Sequence, residues 1–286
     1  MLDVICYPVS AILWFWHKVF AFVLQSPDSG VCWTLAVVFL VFTLRLILIR
    51  PFIKQVRTQR QMQKLQPKIK ELQSKHKGDR QRLTAEMQQL QRDHGVNPLL
   101  GCLPVLLQIP VFFALFHVLR SFKPNSLFSA TDVQSFLDAK LFGAPLSAAI
   151  TMPVEHIEAF GEVSRLAIAA VAVPLMVIAA VATHFTARAN LARSATTLST
   201  PQTTMMNNLA LWVFPIGAIV GGPFLPIAIG IYWLANNGWT LAQQHWVLRR
   251  LDAEETADRT LAVKASPSGP PPSARPAPGQ GRRGKR

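Results

Sequence analysis

The sequence predicts an all-α polytopic membrane protein. It should have a five-transmembrane-helix core, a cytosolic helical hairpin and an N-terminal interfacial helix. Three observations carry this reading. Half of the 286 residues are hydrophobic, yet the formal charge is +14, a pairing that suits a polytopic membrane protein with basic cytosolic parts. Five stretches approach the ~20 helical residues that cross a hydrocarbon core of ~30 Å. The segments between them alternate between basic and nearly neutral. A nucleic-acid-binding protein would share the charge but not the apolar runs.

Residues 1–30 are the ambiguous beginning. Val9–Trp16 and Val19–Leu24 are apolar enough to span, but His17 and Lys18 interrupt them. The Trp14/Trp16 pair suits a headgroup interface, so this segment is expected to lie on the outer surface, joined to the core through Ser26–Gly30. It shows neither a cleavable signal nor an Arg-rich transit pattern. The core is expected over residues 31–250, with spans near 31–50, 99–119, 166–185, 209–222 and 224–241. Prolines 104, 110, 174, 215 and 226 fall inside these spans and should kink helices and free carbonyls. The fourth span is short, which implies little tilt or local thinning of the bilayer. It is joined to the fifth by Gly221-Gly222-Pro223.

Between the first two spans, residues 52–94 are polar and rich in Gln, Lys, Arg and Leu. Gly78-Asp79 breaks this stretch in the middle. Ile69, Leu72, Leu83, Met87 and Leu90 recur at helical spacing, and Asp79 is a plausible helix cap. Two antiparallel cytosolic helices follow, either a solvated spacer or a docking arm. Lys54, Arg57, Arg60, Lys64 and Lys68 are the docking candidates. Residues 121–164 are too polar to span and should lie outside the membrane. Residues 251–286 turn Pro-, Gly- and Arg-rich and should form a disordered basic tail. The positive-inside rule then places the N-terminus outside and the C-terminus in the cytosol.

No phosphate-cradling glycine loop, HExxH or GxSxG motif is present, and an enzyme is not expected. Cys6, Cys32 and Cys102 lack metal spacing, and Glu155-His156-Ile157-Glu158 lacks further ligands in register. Neither metal nor cofactor is expected. The spans hold no Asp or Glu, which argues against a proton-coupled transporter. They do hold Arg45, five residues deeper than Arg50, or about 7.5 Å at helical rise. A charge there costs roughly 2.5–3.5 kcal/mol on insertion scales. Either its side chain snorkels to the interface, or it faces a partner or a wet cavity. Gln108, His117, Thr183, His184, Asn207, Asn208, Asn236, Asn237, Gln243 and Gln244 are the neutral polar residues that could share such a groove or serve as interhelical hydrogen-bond glue.

The motifs resemble the YidC/Oxa1/Alb3 family of membrane protein insertases over most of residues 5–250. The resemblance rests on Leu65-Gln66-Pro67-Lys68-Ile69, on Gly95–Pro104 followed by Gln108-Ile109-Pro110-Val111-Phe112, and on Ile231–Asn237 with Gln243-Gln244 after it. It implies insertion and assembly of nascent membrane proteins in the lipid bilayer of a bacterial plasma membrane, alone or with the Sec translocon. It also implies a cytosol-open hydrophilic groove bearing Arg45, with Gln108, Trp233, Asn236 and Gln243 as further groove candidates. The ribosome and the signal-recognition-particle receptor become candidate partners of the hairpin and tail. The form without a large domain before the first core span is similar to that of Gram-positive bacteria, including actinobacteria. One departure stands out: Pro226-Ile227-Ala228 replaces the usual proline, small residue and glycine of the last span. An anion channel or transporter, and an assembly chaperone without insertion activity, are the competing readings.

Overall fold

The computed structural model describes residues 2–96, 99–120, 122–123, 127–194 and 201–265. For side chains it excludes 2–5, 99–108, 120, 193–194, 201–203, 259 and 262–265 as well. The described residues are overwhelmingly helical. Residues up to His245 form one compact unit, and Trp246 opens a second.

In the first unit, α1 (Leu2–Leu24) is a single helix and packs against α2 (Gly30–Ile47) and α5 (Leu99–Arg120). Val9, Leu13 and His17 are buried along its inner face, while Phe15, Phe22 and Val23 are bare. Ser29 caps α2 by accepting a hydrogen bond from Val31 N, relieving one of the orphan donors at a helix start. The helix yields to α3 (Ile49–Lys75) at Leu48. Pro51, in the first turn of α3, has no N–H for the Ile47 carbonyl, which favours a break there. Gly78, at φ +102°, turns the chain, and Asp79 caps α4 (Arg80–Asp93) through Arg82 N at 3.0 Å. Leu65, Ile69 and Val96 form a small core of their own, packed by Met62, Met87 and Leu90.

Four described helices are long and apolar enough to cross a membrane: Cys6–Leu24, Gly30–Ile47, Arg165–Ala192 and Thr204–Phe224. Ile109–Leu119 is a shorter apolar helix within α5. α8 (Arg165–Ser194) and the later helices refine the sequence reading in three places. First, the short fourth span is extended. α9 (Pro201–Asn208), a π-helical stretch at Leu209–Val213 and α10 (Phe214–Gly221) run on into a 3₁₀ turn at Gly222–Phe224. Pro215 offers no N–H to the Leu211 carbonyl, and His184 Nδ1 on α8 donates to that oxygen at 2.9 Å instead. Second, Pro226 stands before α11 (Ile227–Ala265) rather than inside it, so it starts the last helix without kinking it.

Third, α11 continues to Ala265, past the expected start of the tail at 251. In the second unit Arg250 pairs with Glu254 at 3.2 Å and lies over the Trp246 ring. Good helix formers persist until the proline run that begins at Pro267. Residues 266–286 lie outside the described residues.

The segment after α5 folds over one end of the helices. It comprises α6 (Ala130–Asp138), a hairpin of β1 (Lys140–Leu141) and β2 (Ala144–Pro145), and α7 (Val154–Glu158). The hairpin turn is Phe142-Gly143, with φ +51° and +84°, as a type I′ turn requires at both positions. A residue with a Cβ in that region costs roughly 1–2 kcal/mol. Trp33 is the centre of this cap. It is fully buried, stacks on His17 at 3.8 Å and meets Phe122, Phe128 and Phe136. Its Nε1 donates to Ser135 Oγ at 3.1 Å, and Ser135 donates to Pro27 O. At Gly30 a Cβ would overlap the Lys140 carbonyl, so only glycine lets the hairpin rest on the start of α2.

Candidate functional site

Arg45 occupies the last turn of α2, in a stretch otherwise made of Phe, Leu, Val and Ile apart from Thr43. Its guanidinium reaches across to α11 rather than along its own helix. Nε and Nη2 donate to Asn236 Oδ1 at 3.1 and 2.6 Å, and Nη2 also donates to Thr240 Oγ1 at 3.1 Å. Thr240 in turn donates to Asn236 O at 2.8 Å. All three groups are half-buried. Arginine's planar fork suits such a bridge: it makes several directed bonds while losing little freedom per bond. Both acceptors are neutral, so the full positive charge of the side chain is left uncancelled by them.

Val41, Leu44, Leu48, Val111 and Tyr232 line a shallow cleft around Arg45 and Asn236, whose free space of about 10 Å³ is close to what a single water needs. The site is therefore a small, mostly apolar recess with one charge and one amide on its wall. Among the described residues it presents no group of metal ligands.

The sequence candidates divide between two faces of α11. Asn236, Trp239, Thr240 and Gln243 recur three or four residues apart and form the stripe toward α2. Trp239 Nε1 donates to the buried Gln243 Oε1 at 2.8 Å, and its ring packs 4.9 Å from Phe42. Trp233 faces elsewhere. It lines an apolar cavity with Leu175, Met176, Ala218 and Gly230, between α8, α10 and α11. Asn237 and Gln244 also face α8, bonded to Thr183 and Asn190. Asn236 is thus brought to Arg45, Gln243 sits further along the same stripe, and Trp233 lies apart. Gln108 is on α5, but its side chain lies outside the described residues. Thr240 escaped the sequence reading. Its spacing of four from Asn236 was the available signal, and a lone threonine in an apolar helix is too common to notice.

In the hairpin, Lys54, Arg57, Lys64 and Lys68 are exposed along α3 and Arg60 is half-buried. Lys68 Nζ donates to His94 Nε2 at 3.2 Å, while His94 Nδ1 donates to Leu90 O at 2.9 Å, tying the two arms at the hairpin base.

The opposite end of the bundle is closed. Thr151 donates through both N and Oγ1 to Pro223 O at 3.1 Å. The first N–H groups of α11, on Ile227 and Ala228, donate to the carbonyls of Ala148 and Leu146 at 3.0 and 2.9 Å. Lys18 Nζ pairs with Asp132 at 2.6 Å, joining α1 to the cap. Burial opposes ionisation of Asp132, but the bonds from Lys18 and Ser129 outweigh it and hold the carboxyl below its ordinary value.

A many-helix membrane bundle, capped at one end and carrying an intramembrane arginine held by neutral partners, defines the class: a multi-pass membrane protein. The 60Kd inner membrane protein family matches residues 24–255. The Membrane protein insertase YidC of Mycobacterium tuberculosis is 52% identical over 96% of this chain and 80% of its own length. That of Mycobacterium leprae is 48% identical over 96% and 77%, and that of Streptomyces avermitilis 35% identical over 85% and 57%. The chain belongs to the YidC/Oxa1 family of membrane protein insertases, in its actinobacterial branch. It is a multi-pass protein of the bacterial plasma membrane that acts on nascent membrane proteins.

Proposed function

We propose that the chain inserts membrane proteins with short translocated regions through a recess open to the cytosol and lipid, in which Arg45 receives an acidic N-terminal flank. The observation that carries this reading is the bonding of Arg45 to Asn236 and Thr240. A positive charge is held in place inside an apolar span, and its neutral partners are ones an incoming carboxylate can outcompete. Charge-assisted hydrogen bonds are worth roughly twice neutral ones. The client's apolar segment then leaves for lipid, driven by about 25 cal/mol per Å² of apolar area removed from water.

The orientation follows the basic loops: N-terminus outside, the α3–α4 hairpin and C-terminus in the cytosol, and the cap around Trp33 sealing the outer end. The Lys18–Asp132 tie to that cap supports an outer-surface position for α1. The hairpin is the receiving arm for client, ribosome or signal-recognition-particle receptor, and the chain works alone or beside the Sec translocon.

Insertion of a single-span client with an acidic tail into liposomes, with and without the purified chain, tests the core of this reading. Tail protection from added protease that appears only with the chain is the expected result. Absence of protection across several clients, with folded protein, refutes insertion by the chain alone. Anion-selective conductance in a planar bilayer without client would favour a channel instead.

A further inference from the structure

We propose that the Phe142-Gly143 hairpin tip inserts into the headgroup layer of the outer leaflet and anchors the cap to the membrane surface. The proposal rests on the orientation given above for which leaflet is touched, but not for contact with lipid.

Three observations converge on it. Phe142 is 87% exposed, the barest large apolar side chain described. It also holds a positive φ of 51°, in a turn position where Asn, Asp or Gly is favoured. In water this residue would be penalised twice, once for its backbone and once for its ring. A headgroup layer removes the second penalty, and aromatic rings are enriched at that level.

The depth of the tip is set by its base. The Lys140 carbonyl rests on Gly30, the first residue of the apolar 18-residue span Gly30–Ile47. The hairpin therefore leaves α2 where that helix leaves the hydrocarbon. Two other segments expose apolar side chains at the same end of α2. Val31 is half bare, and Phe22 and Val23 end the helix that the 25–29 connection joins to Gly30. Phe22, Val23 and Val31, on either side of that connection, and Phe142, over a hundred residues later, thus present bare apolar groups around the start of α2, as an interfacial belt does. A soluble partner would need no such alignment with the start of a span.

The test uses the full chain in lipid nanodiscs, with Cys6, Cys32 and Cys102 replaced and a nitroxide attached at F142C. A second sample carries the label at E155C, on exposed α7. Collision with oxygen, which concentrates in lipid, is compared with collision with a water-soluble nickel chelate. The expected result is an oxygen-to-nickel ratio several-fold higher at position 142 than at 155. Equal ratios would place the tip in water and overturn the proposal. Protection from both reagents would mean a protein contact and overturn it as well. A thermal melt of each labelled protein, matching the unlabelled chain, certifies folding. Labelling of E158C by an impermeant thiol reagent in intact cells reports sidedness separately. If that fails while the ratio holds, the orientation is wrong and the lipid anchor stands.

Discussion

Replacing Arg45 with glutamine removes the charge while keeping a donor that reaches toward Asn236 Oδ1. The fold should survive, because the lost bonds went to neutral acceptors and a neutral hydrogen bond contributes only about 0.5–1.5 kcal/mol net. Insertion should not. A carboxylate about 4 Å from the guanidinium gains ~4 kcal/mol at an effective dielectric near 20. Arg45 is half-buried, and if the recess opens to the cytosol as proposed, screening by water reduces that gain to roughly 1.5–2.5 kcal/mol. At 1.36 kcal/mol per decade of rate, the substitution should slow insertion about ten- to seventy-fold for an acidic-tailed client. The assay is protease protection in liposomes, run as a time course with two clients: one with an acidic tail, and one with each acid replaced by its amide. The amide-tailed client should be nearly indifferent to the substitution. R45Q inserting the acidic client at the parent rate, or slowing both clients equally, would refute the charge argument. The second outcome would make Arg45 a structural residue.

Further tests address the frame that holds the site. Gly30→Ala should cost several kcal/mol, on the order of other overpacking substitutions at their upper end, because a Cβ there overlaps the Lys140 backbone; Gly222→Ala should cost far less, since the nearest atoms, 2.6 Å away, belong to the flexible Met176 side chain, and melting in detergent compares the two. Asp132 is held below its ordinary value, so its stabilising contribution is complete above the unfolded pKa near 3.8 and fades as pH falls through the lower folded value. With Lys18 45% exposed, that contribution is about 1 kcal/mol, and Asp132→Asn should remove this part of the acid sensitivity in melts below pH 5. Deleting Lys54–Arg92 should abolish insertion while the bundle still melts cooperatively; normal insertion by the deletion would remove the hairpin's receiving role. His184→Phe should destabilise by roughly 1–2 kcal/mol, leaving the Leu211 carbonyl without its donor, whereas a neutral result would show that the π-helical stretch satisfies that carbonyl internally.

The helices were legible because membrane helices announce themselves: long apolar runs, basic segments alternating with nearly neutral ones, and Asp79 after a glycine at the hairpin turn. What stayed hidden depends on distance along the chain. The β1–β2 hairpin has two-residue strands, too short for any alternation to register, and its Phe142-Gly143 turn carries only half of the usual glycine-rich signature. Trp33 carries no signal of its own in the sequence: its role depends on Ser135, about a hundred residues later, which accepts its Nε1 proton. Gly30 reads as linker, and the reason for it is a carbonyl on Lys140.

Arg45 was conspicuous as a charge in the wrong place, but whether it snorkelled or met a partner depended on Asn236 and Thr240, some 190 residues away. The partner's chemistry matters more than its existence. A carboxylate opposite Arg45 would have stabilised the arginine strongly, and an incoming acidic tail would then have had to break a desolvated ion pair, at a cost of several kcal/mol. An amide and a hydroxyl satisfy the guanidinium hydrogens without neutralising the charge. Exchange of those neutral bonds for a client's carboxylate is then downhill by little more than the difference between a neutral and a charge-assisted bond. The gain is large enough to draw an acidic flank into the recess, and small enough that burial of the client's apolar segment in lipid draws it out again.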